Sequence, residues 1–384
     1  MITKVQNGRI VMEDTVAEGL SLYWDGSIIT HITSDELPCD TVIDARGAYI
    51  APGFIDMHTH GGGGYDFMDG GAEPIVEAVR MHQRHGTTSI LPTTLACSTG
   101  TLREFLQDLR VAMKQCEGIL GAHLEGPYFS LEQCGAQNPE YIKAPDEQEY
   151  TALIAEFGDI IKRWDFAPEL AGSSLFCETL LNRGIIPSIG HSNATLDEVK
   201  PVYEIGCRLL THLYSGMSTI TRKGGFRRLG VVESAYYYDD MAVEIIADGC
   251  HLPPDLLKLI TQQKRRDLIC LITDSMRGAG MPDGHSLLGR KAEAMPCIIE
   301  EGVAKLLDRS ACAGSVATAD RLIRTMVHEV GLSIPDAVRL MTKNPAQILG
   351  LKTKGELKPG YDADIVLFGD DIAVQKVFLM GREM

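Results

Sequence analysis

The stretch Phe54-Ile55-Asp56-Met57-His58-Thr59-His60 decides how this chain folds. It is a mostly apolar run of strand length ending in two histidines, and on an extended backbone residues two apart point to the same side. Outward from it the same unit repeats. Strand candidates lie at 54–58, 89–93, 119–125, 166–170, 185–191, 208–212, 243–248 and 268–274, eight in all. Helix-like segments fall near 73–85, 101–116, 147–163, 174–183, 195–205 and 254–265, with 318–330 and 335–343 after the last strand. Thr195-Leu196-Asp197-Glu198 has capping-box spacing at the start of one of them. Buried parallel strands alternating with helices and counted to eight predict an α/β fold, a (β/α)8 TIM barrel. A doubly wound Rossmann sheet competes, but no Gly-x-Gly-x-x-Gly follows the first strand.

The flanks have a different character. Residues 1–50 read as short strands separated by turns, with Asp25-Gly26 as a hairpin signal, and the chain returns to β character after 345. The expected division is a small β-sandwich domain built from both chain ends, 1–50 and 346–384, beside a barrel over 51–345. A β-hairpin is expected as an insertion at 287–309.

The chain has 384 residues, 45% hydrophobic and 23% charged, which suits a barrel plus an accessory domain and a large core. Its formal charge of −16 argues against nucleic acid or an anionic membrane as partner. A small anionic substrate remains compatible, because a few local cations and backbone amides can hold a phosphate. Ten cysteines without CxxC spacing read as free thiols rather than a zinc finger or disulfide framework. With no secretory h-region at the start and no membrane-length apolar run, the expected location is the cytoplasm.

The strand ends carry the chemistry. The first ends in His58-Thr59-His60, the third in Glu125, the fifth in His191, the sixth in His212 and the eighth in Asp274, while His251 follows the seventh. Barrel enzymes build their sites at that face, so these side chains are expected to converge. A lone strand-end histidine is usually a hydrogen-bonded structural group. Five imidazole and carboxylate ligands plus an aspartate at one face are instead the donor set of a divalent metal. His31, His82, His85, His285 and His328 lack that placement and read as structural, while His123 shares a face with Glu125 and is placed to support the site. The run Gly61-Gly62-Gly63-Gly64 allows close backbone approach to a ligand or is a loop tip, and Gly126-Pro127 and Ala313-Gly314-Ser315 fall where substrate-facing loops are expected.

These motifs resemble a known family. Pro52-Gly53-Phe54-Ile55-Asp56-Met57-His58-Thr59-His60-Gly61 is similar to the first-strand signature of the amidohydrolase superfamily, and Pro359-Gly360-Tyr361-Asp362-Ala363-Asp364 to its C-terminal signature. Within it, His123-Leu124-Glu125-Gly126-Pro127-Tyr128, Gly190-His191-Ser192, Thr211-His212-Leu213-Tyr214, Ala247-Asp248-Gly249-Cys250-His251 and Thr273-Asp274 resemble the N-acetylglucosamine-6-phosphate deacetylases. The resemblance implies that Glu125, His191 and His212 hold the main metal and that His58 and His60 help bind a second ion where there are two. Zn, Fe, Ni, Co and Mn stay open, as does one ion against two. It places substrate contacts on Ala136, Ser215, Gly216, Asp248, Gly249, Cys250, His251, Cys312, Ala313 and Gly314. It also implies a homodimer, in which an arginine of the neighbouring subunit reaches the phosphate.

For amide hydrolysis, a metal brings the pKa of bound water to ~7. Asp274 is the expected general acid–base, and His251 the donor to the developing oxyanion. Two departures fall in the sugar and phosphate loops. Ser215-Gly216 stands where the family has Asn-Ala, and Arg227-Arg228-Leu229-Gly230, after a short insertion at 221–226, where it has Arg-Glu-Pro-Gly. Arg227 is the expected phosphate contact, with Arg222, Lys223 and Arg228 as competitors. N-acetylgalactosamine 6-phosphate, an unphosphorylated N-acetyl sugar and a cyclic amide remain alternative substrates. An inactive sugar-phosphate-binding barrel is the alternative of another class. The fourth-strand candidate at 166–170 has no lysine, so Glu125 takes the bridging role that a carboxylated lysine has in many two-metal relatives.

Overall fold

The computed structural model describes residues 1–309 and 312–384. Its centre is a series of parallel strands in sequence order. Phe54–Thr59 pairs with Thr87–Pro92, and the isolated bridges Ile90–Ile119 and Thr93–His123 carry the series onward. A six-stranded parallel sheet follows through Ala122–Glu125, Ile161–Phe166, Ile186–Ile189, Leu209–Leu210, Ala242–Ile245 and Ile269–Leu271. Beyond the last strand, Asp274 N donates to His58 O at 2.9 Å and His60 N to Ser275 O at 2.8 Å, so the end of the series lies against its beginning. Parallel strands need crossovers, and helices supply them: Ala72–Arg84, Thr99–Gln115, Glu147–Phe157, Ser173–Asn182, Leu196–Ile205, Val231–Tyr237 and Pro254–Gln263. Their starts follow the sequence. Ser98 accepts from Thr101 N at 3.1 Å, Asp146 from Gln148 N at 3.0 Å, and the Glu198 carboxylate from Thr195 N at 2.7 Å.

The fourth strand lies five residues earlier than its sequence candidate, at Ile161–Phe166 rather than 166–170, because the preceding helix stops at Phe157. Arg163 and Asp165 point into the interior there, fully buried, and with Lys162 they make three charges in a six-residue strand that hide its apolar signature. This strand does contain a lysine, Lys162. Its Nζ bonds Asp159 O at 2.9 Å, at the end of the strand away from His191 and Glu125. The segment Val231–Tyr237, unpaired with any sequence signal, forms a short helix. Where a hairpin is expected at 287–309, there is a four-stranded antiparallel sheet of Gly284–Leu288, Met295–Glu300, Val303–Leu306 and Cys312–Ser315.

Both chain ends meet in β structure. Ile365–Phe368 pairs antiparallel with Tyr49–Pro52, inside a six-stranded sheet that also holds Arg9–Val11 and Val374–Leu379. A four-stranded sheet of Ile2–Gln6, Ser21–Asp25, Ile28–Thr33 and Thr41–Asp44 adjoins it. Val5, Leu22, Trp24, Ile29, Ile50, Leu367 and Phe378 form one apolar cluster between them. The ten cysteines are free. Among the described residues no helix is long and apolar enough to cross a membrane.

Candidate metal centre and active-site cavity

The side chains at the C-terminal ends of the parallel strands meet in one place. Glu125 Oε1 lies 3.1 Å from His191 Nε2 and 3.0 Å from His212 Nε2. Beside them His60 Nε2 is 3.1 Å and His58 Nε2 3.4 Å from Asp274 Oδ1. His58 Nε2 is also 3.6 Å from Glu125 Oε1, and His60 Nε2 3.4 Å from Glu125 Oε2, so the two groups share a carboxylate. Each set, Glu125 with His191 and His212 and His58 with His60 and Asp274, brings its donor atoms within 4.8 Å of one another. Three of these ends are held in left-handed backbone: His191 (φ 46°), His212 (φ 29°) and Asp274 (φ 46°). Non-glycine residues pay about 1–3 kcal/mol for such a conformation and cluster at functional sites.

The donor chemistry fits a divalent ion. His191 Nδ1 donates to Gln133 O at 2.9 Å, which leaves Nε2 as the free base facing Glu125. His58 Nδ1 is 3.3 Å from Glu244 Oε2, which orients its Nε2 in the same way. Beneath the cluster Arg163 spans Glu244 and Asp165, both fully buried: Nη2 bonds Glu244 Oε2 at 2.9 Å and Nε bonds Asp165 Oδ1 at 3.1 Å. Burial opposes every charge in this layer, yet Arg163 holds Asp165 and Glu244 below the usual carboxylate range. His123 Nε2 is 2.9 Å from Asp165 Oδ1, and burial together with the Arg163 charge pushes its pKa down to about 4. His58, His123 and Asp165 form a third grouping of donor atoms, beneath the other two and capped by the Arg163 cation.

Burial disfavours the charged forms of His60 and His212 as well, but Asp274 and Glu125 outweigh it and raise each to about 9. A divalent cation held by these residues would take the place of those protons, and its uptake would be coupled to proton release. Asp274 is disfavoured as a carboxylate by burial and held low by His58, His60 and His212, so it is ionised. His251 Nδ1 bonds Asp248 Oδ2 at 2.7 Å; burial works against its charge, and the aspartate overcomes this and raises its pKa.

A cavity of about 370 Å³ opens on this cluster. His60, Glu125, His191, His212, His251 and Asp274 line it, together with Ala136, Ser215, Gly216, Cys312, Ala313 and Gly314. Asp248 stands behind His251, and neither it nor Gly249 nor Cys250 forms part of the wall. The glycine run after His60 does not line it either. A Cβ on Gly62 would meet Met81 Cε at 2.1 Å, so that run packs against the helix Ala72–Arg84, where His82 Nε2 bonds Gly61 O at 2.9 Å. Gly216 (φ 55°) is demanded by the site, since its Cβ would fall 2.8 Å from His191 Nδ1.

Arg227 is not at the cavity. It lies on an exposed hairpin, Thr221–Lys223 paired with Phe226–Arg228, as do Arg222, Lys223 and Arg228. Arg228 bonds Asp197 at 3.2 Å. Among the described residues no lysine or arginine lines the cavity. Sequence reading also passed over Gln137, whose Nε2 donates to Glu125 Oε2 at 2.6 Å, and over Arg163 and Glu244. The signal for Glu244 is present: a charge inside the apolar strand Ala242–Ile245 must be paired.

The sequence profile of the amidohydrolase family matches residues 49–384. The chain belongs to that family. Its relatives narrow the comparison. The N-acetylglucosamine-6-phosphate deacetylase of Lysinibacillus sphaericus is 33% identical over 350 residues, spanning 88% of this chain and 86% of the relative. The N-acetylgalactosamine-6-phosphate deacetylase of Escherichia coli is 30% identical over 351 residues, 89% of each. Among solved structures, a mutant N-acetyl-D-glucosamine-6-phosphate deacetylase of Mycobacterium smegmatis in complex with N-acetyl-D-glucosamine-6-phosphate is similar with a TM-score of 0.90 at 28% identity, covering 100% of this chain and 98% of that one. The N-acetylglucosamine-6-phosphate deacetylase of Thermotoga maritima gives 0.86 at 29% identity, covering 100% and 99%. This amidohydrolase thus shares its whole architecture with them, as the signatures at 52–61 and 359–364 imply.

Proposed function

We propose that this chain hydrolyses the acetamide of N-acetylglucosamine 6-phosphate to glucosamine 6-phosphate and acetate. The observation that carries this is the meeting of Glu125, His191 and His212 with Asp274 and His251 on one cavity. The parallel series, with the residues just beyond its last strand hydrogen-bonded back to the end of its first, is read as a closed (β/α)8 barrel over 51–345. The sheets at the chain ends are read as a β-sandwich domain over 1–50 and 346–384.

Glu125, His191 and His212 would hold the main ion, and His58, His60 and Asp274 face a second position. When bound, a divalent ion supplies Lewis acidity and a water of lowered pKa. Asp274, ionised among its histidines, accepts the proton of the attacking water and returns it to the amine as the C–N bond breaks. His251 has Nδ1 committed to Asp248 and its charge favoured, so Nε2–H donates to the oxyanion that develops on the acetyl carbonyl, a contact worth roughly 3 kcal/mol. Ala136, Ser215, Gly216, Cys312, Ala313 and Gly314 bound the sugar. A cytoplasmic homodimer is read as the working form: among the described residues no lysine or arginine lines the cavity over the candidate metal ligands, and Arg290 of the adjoining pocket already bonds Glu104 at 3.1 Å. Arg227 sits on a protruding hairpin beside Phe226, which is 76% exposed, a surface suited to a second copy. Together these support reading Arg227 as a contact to the phosphate in the partner's site.

N-acetylgalactosamine 6-phosphate is a second reading, favoured by a relative of that specificity with near-equal identity. Acetate release by metal-replete protein from the two phosphorylated sugars and unphosphorylated N-acetylglucosamine separates the readings. Strong preference for N-acetylglucosamine 6-phosphate is expected. Hydrolysis of none of the three by protein with bound metal would sink the proposal.

A further inference from the structure

Glu125 is 2% exposed and has two carboxylate oxygens with different company. Oε1 faces His191 and His212. Oε2 accepts Gln137 Nε2–H at 2.6 Å and lies 3.4 Å from His60 Nε2, which is itself 3.1 Å from Asp274 Oδ1, while His58 Nε2 is 3.6 Å from Oε1. The amide of Gln137 cannot turn over, because its Oε1 accepts Ala96 N–H at 2.7 Å. A flipped amide would set oxygen against carboxylate and nitrogen against N–H, losing both bonds. Gln137 is itself buried, 5% exposed, at the wall of the cavity.

We propose that Gln137 is a positioning residue that sets how many metal ions the site holds, by engaging the Glu125 oxygen that would otherwise bridge to a second ion. The proposal rests on the reading of Glu125, His191 and His212 as the main ion's ligands. Two physical effects act together. The bond fixes the carboxylate plane, so that Oε1 stays aimed between His191 and His212 and the first position is preorganised. The same bond draws electron density from Oε2 and fills one of its two acceptor directions, so the position facing His58, His60 and Asp274 is offered a poorer fourth donor. The first ion therefore binds tightly and the second weakly. Tying the loop of Ala136 to the strand-two side at Ala96 is the plain structural role of the same residue, and it makes no statement about ion number.

Stepwise titration of metal-free protein with Co²⁺, read by visible absorbance and by metal content after dialysis, distinguishes the two. In the wild type the two steps are expected to differ by at least about tenfold, the scale of supporting-residue effects on metal affinity. Gln137→Leu and Gln137→Met match the side chain in length or volume but cannot donate. In either variant the second step is expected to tighten and the first to weaken, so that the gap closes by about tenfold. Two equal steps in the wild type overturn the proposal without any variant, and so does an unchanged gap in a folded variant. Failure of the wild type to bind Co²⁺ at all would instead remove the metal reading on which the proposal stands.

Discussion

Desolvation works against the Asp274 carboxylate, and His58, His60 and His212 around it keep it ionised, the state its proposed role as proton acceptor requires. Asp274→Asn keeps the size and the backbone bond to His58 O but cannot accept a proton. The expected result is a fall in kcat of about 10²–10⁴-fold with the main ion retained, read by turnover and metal content on the same sample. Near wild-type turnover would remove Asp274 from its role. This residue, like Glu125, His191 and His212, is legible in the sequence because an apolar run stops at a ligand-type side chain. Gln137 is not, since it follows Glu125 across an irregular loop and its partner is fixed only by folding. Arg163 and Asp165 are missed for a different reason. Charged side chains read as solvated, and only their mutual pairing with Glu244 makes their complete burial tolerable.

Arg277 joins elements that the sequence leaves unconnected. Its guanidinium meets both oxygens of Asp69 at 3.0 Å and its Nε donates to Leu287 O at 2.9 Å, so the loop after the first strand is tied to the antiparallel sheet over the cavity. Burial works against the Asp69 carboxylate, but Arg277 and the N–H groups of Asp66 and Lys291 hold its pKa below the ordinary value. A carboxyl lowered in the folded state stabilises fully above its unfolded pKa, ~3.9, and that stabilisation is lost as pH falls through the lower folded value. Asp69→Asn is therefore expected to lower unfolding free energy by about 3 kcal/mol near neutrality, the cost of leaving a buried arginine unpaired. In urea melts the difference from wild type should hold steady from pH 7 to about 4.5 and shrink only below ~3.9. A difference that already closes between pH 7 and 5 would show that Asp69 is not held low. At this level the parallel strands and most helices are legible from periodicity. The fourth strand is displaced because its interior charges break the apolar run, and Val231–Tyr237, at seven residues, is too short to show a period.

Among the described residues no lysine or arginine lines the cavity over the candidate metal ligands. That cavity has the candidate metal ligands, Asp274 and His251, while Arg227 extends on an exposed hairpin outside the cavity wall. The acidic net charge of −16 sharpens the point, because an anionic substrate must be drawn in by a few local positive groups. If Arg227 completes the partner's site, two inactive variants can repair each other. In a mixed dimer of Arg227→Ala and Asp274→Asn chains, one site takes Asp274 from the first chain and Arg227 from the second and is whole, while the other lacks both. Random pairing of equal amounts makes half the dimers mixed, so about a quarter of wild-type activity per site is expected after co-refolding or co-expression. Each variant by itself should show far less on the phosphorylated sugar. Mixed protein with no more activity than the average of the two parents would place Arg227 outside the site. The phosphate would then fall to Ser215-Gly216 backbone amides of the same chain, and the isolated monomer would be expected to work as well as the dimer.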